Sequence, residues 1–116
     1  MADQLLERLI KRVNLTGTFF DITIIVGGAM ITGRIAPRVQ WLDGNITHLQ
    51  GIDLAEFADD FAQEGAALDH EDYLLLSQAR YVHDTNMLPP HGAAFRVRLS
   101  EVQGWMLGRL AKSPRA

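Results

Sequence analysis

The 116-residue chain has no cysteine. That excludes a disulfide scaffold, a cysteine-ligated zinc site, an iron–sulfur centre and thiol catalysis. Nor does any apolar run approach the roughly 18 residues that a bilayer-spanning helix needs. Excess positive charge is missing as well. The formal net charge is −3, so the whole molecule is not a polyanion binder of the usual basic kind. The first turns carry Asp3, Glu7, Arg8, Lys11 and Arg12 within their apolar pattern, which is not the pattern of a secretory signal. A cytoplasmic location without membrane attachment is expected. One further absence is local. From Val39 to Ala79 there is no Lys or Arg but nine acids, so a −9 segment sits inside a +6 remainder. That polarity reads either as a solvated helix face or as an electrostatic device for partner choice or self-association.

What is present fits an ordinary globular chain, with 47% apolar and 22% charged residues. Leu5, Leu6, Leu9, Ile10 and Val13 repeat at helical spacing after Ala2, predicting an N-terminal amphipathic helix that stops at Gly17. Phe19 to Val26 alternates as a strand, with Phe20, Ile22, Ile24 and Val26 on one face. Gly27-Gly28 predicts a tight hairpin turn, and Ala29 to Ala36 the return strand. Gly33 within that strand signals a bend or bulge.

Pro37 to Leu42 predicts a short turn of helix, and Asn45 to Gln50 carries no clear signal. Leu54, Phe57, Ala58, Phe61 and Ala62 predict an acidic helix. Asp53 and Glu56 read as its capping pair and Gly65 as its stop. Three strands follow, over Tyr73 to Val82, Ala94 to Leu99 and Trp105 to Leu110. Asn86 to Gly92 is expected to be a loop, since Pro89-Pro90 cannot sustain a ladder, and Ser100 to Gly104 a turn. The expected fold is α+β: an N-terminal helix, then a bent five-stranded antiparallel sheet or small barrel. Residues 1–110 form a single domain with a helical acidic insertion at 36–71, and residues 111–116 a short tail.

Catalytic signatures are weak throughout. His70-Glu71-Asp72 are adjacent and point in different directions in any regular element, which is poor metal-ligand spacing. Ser77 and Ser100 have no evident base, and Gly27-Gly28 leads into a strand rather than a phosphate-binding helix. No catalytic residue, cofactor site or metal site is assigned, and the chain reads as a non-enzyme. The residues singled out for partner binding are the acids Glu56, Asp60 and Glu64, the arginines Arg34, Arg96 and Arg98, and Trp105. In this reading the acids of one copy meet arginines of another, giving a homo-oligomer.

Two resemblances add to this. The stretch Ile25-Val26-Gly27-Gly28-Ala29-Met30-Ile31-Thr32-Gly33-Arg34-Ile35, with the turn at Leu99-Ser100-Glu101-Val102, resembles the Sm-like barrels of the Hfq and LSm kind. That resemblance implies a fold and, as an alternative function, an RNA-binding oligomer. The basic-and-histidine motif by which the bacterial members read RNA is absent, since the matching residues are Val97-Arg98-Leu99-Ser100-Glu101. Nucleic-acid binding is therefore not expected. A fuller resemblance is to the gas vesicle accessory protein U family. It rests on Val26 to Ile35, on Tyr73 to Tyr81, and on the block from Arg96 to Leu110, which contains Ser100-Glu101-Val102-Gln103-Gly104-Trp105-Met106-Leu107-Gly108. The blocks keep the family's order, while the helical middle is different and shorter. The resemblance implies a non-enzymatic cytoplasmic accessory of gas vesicles. It would act in vesicle assembly or clustering by binding the shell, other accessory proteins or itself.

Overall fold

The structure is a computed structural model, and it describes residues 3–66, 72–84 and 86–110. Helix α1 spans Gln4–Thr16. Asp3 caps it by accepting from the Leu5 and Leu6 N–H groups at 2.9 and 3.2 Å. Gly17 closes it in the left-handed region at φ 70, donating to the Val13 carbonyl. Leu6, Ile10 and Val13 are buried, as the stripe predicts.

Strands β1 (Phe20–Val26) and β2 (Ala29–Ile35) form the expected hairpin. Both turn glycines have positive φ, 57 and 80. Strands β3 (Tyr73–His83), β4 (Asn86–Arg98) and β5 (Val102–Leu107) complete one sheet in the order β4-β3-β2-β1-β5. Every pairing is antiparallel. Gly33 stands where β2 shifts register against β3. A Cβ there would lie 3.1 Å from the Ala79 Cα, so any side chain would press the two backbones apart by a few tenths of an ångström.

Four expectations are corrected. The sheet is open rather than a barrel, because β4 and β5 occupy opposite edges instead of pairing. Residues 86–92 belong to β4 and not to a loop. At an edge a proline costs no ladder bond on its outer side, and residues 89–92 bulge opposite Arg80 alone, between the Tyr81–Leu88 and Ala79–Ala93 pairs. The turn of helix at Pro37 runs on as α2, Arg38–Gly51, through Gly44, since one interior glycine costs only about 1 kcal/mol. Strand β5 starts at Val102, after a single 3-10 turn at Leu99–Glu101, and ends at Leu107.

The acidic helix also starts later than its sequence predicts. Asp53 adopts φ 62 just beyond α2 and does not cap it. A 3-10 turn over Ala55–Phe57 leads into α3, Ala58–Ala66, which continues through Gly65. The His70-Glu71 pair and the expected tail at 111–116 lie outside the described residues.

The core lies between α1 and one sheet face. Leu6, Ile22, Ile24, Ile35, Leu74 and Leu76 are its fully buried members. Complete burial of each such side chain contributes roughly 1.5–3 kcal/mol. The other face carries Thr23 and Thr32, also buried, with hydroxyl oxygens 3.0 Å apart. Gly108, at φ 100, turns the chain out of β5 and across them. The Leu110 N–H donates to Thr32 Oγ1 at 2.8 Å, and Thr23 Oγ1 donates to the Gly108 carbonyl at 2.9 Å. With Thr32 donating to Thr23, every group in this chain is satisfied.

Candidate interaction surface

Arg96 and Arg98 stand on one face of β4 beside Tyr73 of β3. The Arg96 guanidinium lies 3.8 Å from the Tyr73 ring centre and that of Arg98 5.9 Å. Arg96 also donates to Glu64 Oε1 at 3.1 Å. Arg38, at the start of α2, donates to the Glu64 main-chain carbonyl at 2.6 Å, with its nearest Glu64 carboxylate oxygen at 4.0 Å. This cluster thus docks the end of α3 onto the sheet. Glu64 and Arg96, both singled out from sequence, meet within one chain.

Arg34 is elsewhere. It lies 3.4 Å from Asp21, its cross-strand neighbour. Arg109 approaches the same carboxylate at 3.3 Å and donates to Gln78 Oε1 at 3.3 Å. The Arg109 Nε and the Arg80 Nε are buried without a hydrogen-bond partner. Trp105 is half-buried at the core's edge, and its indole N–H donates to Asp3 Oδ2 at 2.9 Å. That bond, helped by the Leu6 N–H, holds the Asp3 carboxyl below its ordinary 3.8. The four basic or aromatic candidates are therefore spread over three places.

Glu56 and Asp60 are exposed and make no ion pair among the described residues. The apolar stripe beside them divides. Phe61 packs against Trp41, ring centres 6.3 Å apart, and the Trp41 N–H is anchored to the Leu76 carbonyl at 3.0 Å. Leu54 and Phe57 remain 37% and 48% exposed, and Ile52 is 50% exposed. Burial of the whole stripe, which its spacing predicts, does not occur. Main-chain bonds from Leu54 to Leu49 and from Phe57 to Leu54 nevertheless hold this segment in a defined shape. Ile52 carried no sequence signal.

A cavity of about 240 Å³ opens between α1, α2 and the sheet, lined by Asn14, Arg38, Trp41, Glu64, Tyr73 and Arg96. A second cavity of about 380 Å³ lies between α2 and strands β3 and β4, lined by Trp41, His48, Gln78 and His91. Among the described residues no three metal-ligating side chains converge, and no helix is long and apolar enough to cross a membrane. What the surface offers is exposed apolar side chains set among charges, which is the chemistry of protein–protein contact.

The chain has no match among curated proteins or solved structures. A family model described as gas vesicle protein GvpU-like matches residues 3–110, so the chain belongs to the GvpU-like family of gas vesicle proteins.

Proposed function

We propose that this protein is a non-enzymatic accessory of gas vesicles that promotes their assembly or clustering in the cytoplasm, by binding the vesicle shell, other accessory proteins or itself. Membership of the GvpU-like family supports the vesicle association. The observation that carries the binding role is the exposed Ile52, Leu54 and Phe57 among unpaired acids. A monomer that only needed solubility would have no use for half-exposed aromatic and branched side chains in an ordered segment. The partner-binding set of Glu56, Asp60, Glu64, Arg34, Arg96, Arg98 and Trp105 divides on this reading. Glu56 and Asp60 face partners, Glu64, Arg34, Arg96 and Trp105 hold the fold's own elements together, and Arg98 stands exposed beside Tyr73.

The test is direct. Purified protein is added to isolated gas vesicles, and co-flotation and vesicle clustering are followed by light scattering. Binding is expected to weaken with added salt and to fall when Glu56 and Asp60 are both changed to Gln. If the protein stays in the subnatant at every salt concentration, the proposal fails. Tight, salt-sensitive binding to short single-stranded RNA would instead favour the RNA-binding alternative.

A further inference from the structure

The arm beyond α2 has a counterpart of opposite charge on α1. On α1, Leu6, Ile10 and Val13 face the core, and the outward side carries Arg8, Lys11, Arg12 and Leu15, all exposed. Arg8, Arg12 and Leu15 are spaced i, i+4 and i+7, so they lie on one line along the helix. Leu5 on the flank is 51% exposed, Leu15 86% and the following Phe19 38%. This surface is apolar and basic. The surface at Ile52, Leu54 and Phe57 is apolar and acidic, with Asp53, Glu56 and Asp60 exposed around it.

The two surfaces do not meet within one molecule. The N-terminal end of α2 is tied to the C-terminal end of α1, where the Arg38 N–H donates to Asn14 Oδ1 at 2.7 Å. From there the 14 residues of α2 lead away by about 20 Å before the acidic surface begins. Neither apolar patch is covered by another part of the described chain. Arg34, Arg96 and Arg109 have intrachain ion pairs, whereas Arg8, Lys11 and Arg12 stand together as an exposed basic cluster on α1, a match for these acids.

Resting on the self-association within the proposed function, we infer that copies of this chain join head to tail: the Ile52–Phe57 acidic surface of one copy seats on the Leu5–Leu15 basic face of α1 in the next. The contact is heterologous, with different patches on the two sides. It leaves one free patch at each end of every assembly and does not stop at a dimer unless the rotation closes a ring. Such growth suits a protein that bridges large particles.

Two double variants and their mixture test this with purified protein and no vesicles. The acidic surface is reversed by Glu56→Lys with Asp60→Lys, and the basic one by Arg8→Glu with Arg12→Glu. The unaltered chain is expected to form a concentration-dependent series of species in sedimentation velocity. Each variant alone should be monomeric, its association weakened at least about tenfold by like charges at the contact. Mixing the two variants should pair the reversed surfaces, lysine-bearing against glutamate-bearing, while the surviving native pair joins the remaining two. Alternation of the two variants along the assembly therefore restores growth. A mixture that assembles shows that both variants are folded, so loss of association in each alone is a loss of the contact.

Three results would overturn the inference: a monomeric unaltered chain, a variant that assembles like the unaltered chain, or a mixture that stays monomeric. Vesicle clustering is scored separately. Assembly in the absence of any effect on vesicles upholds the contact and counts against the vesicle role.

Discussion

Leu76 in β3 and Phe57 in the acidic arm are both large apolar side chains within regular patterns, yet Leu76 is 0% exposed and Phe57 48%. Leu76 sits in the central part of a sheet, with Ile35 and Phe95 beside it on the neighbouring strands. Phe57 sits in the 3-10 turn that follows the 14-residue α2, and of the arm's two phenylalanines Phe61 is the one that packs on Trp41. Burial is decided by how many layers stand over a position, and hydrophobicity only supplies the motive. The sheet and α1 hold the buried apolar core of this molecule, and the arm leaves Ile52, Leu54 and Phe57 partly exposed.

The strongest test of that contrast is a pair of truncations read by urea unfolding. Leu76→Ala is expected to cost about 2–5 kcal/mol, because a fully buried cavity is left. Phe57→Ala should change stability by no more than about 1 kcal/mol while weakening association. Equal losses at the two positions would break the comparison.

A smaller effect is expected on the other face of the sheet. Thr32→Val removes the hydroxyl between the Leu110 N–H and Thr23. The loss should be about 1–3 kcal/mol, since a buried donor loses its partner. Amide exchange at Leu110 should speed up, showing that the segment after β5 has lifted. An unchanged Leu110 would mean that its hydrogen bond to Thr32 does not hold the segment down.

The smallest effect lies at the edge of the core. The Asp3 carboxyl is held low by the Trp105 indole N–H first and by the Leu6 N–H next. Its charged form is therefore favoured by folding. That contribution is complete above the ordinary value of 3.8 and is lost as pH falls below it, through the lowered folded value. In Trp105→Phe, an NMR titration should show Asp3 moving up toward 3.8, and the acid-side stability loss should shrink. An unmoved titration would assign the shift to the helix cap alone.

Much of this structure is legible in the chain. The α1 stripe, the Gly27-Gly28 hairpin and the bulge at Gly33 follow from local residue choice, and the structure bears them out. The legible part of the surface is its charge: Asp43, Asp53, Glu56, Asp59, Asp60 and Asp72 of the middle segment are exposed. What the pattern misses depends on long-range position. Pro89 and Pro90 read as a loop because their effect on a ladder depends on whether the strand is central or at an edge, which is a property of the whole sheet. Glu64 reads as a partner for another copy because nothing local places Arg96, 32 residues away, within 3.1 Å of it.

The sequence by itself determines the helix–hairpin start, the antiparallel strand content, the split of charge and the family to which the chain belongs. These rest on periodicity, turn chemistry and motif, and each is set by residues close together along the chain. Only the tertiary structure decides that the sheet stays open, that Gly108–Leu110 crosses over Thr23 and Thr32, and that Arg34 and Arg96 pair with Asp21 and Glu64 of the same chain. Those outcomes depend on which distant residues come within a few ångströms. The same distances bring Phe61 onto Trp41 and leave Ile52, Leu54 and Phe57 37–50% exposed.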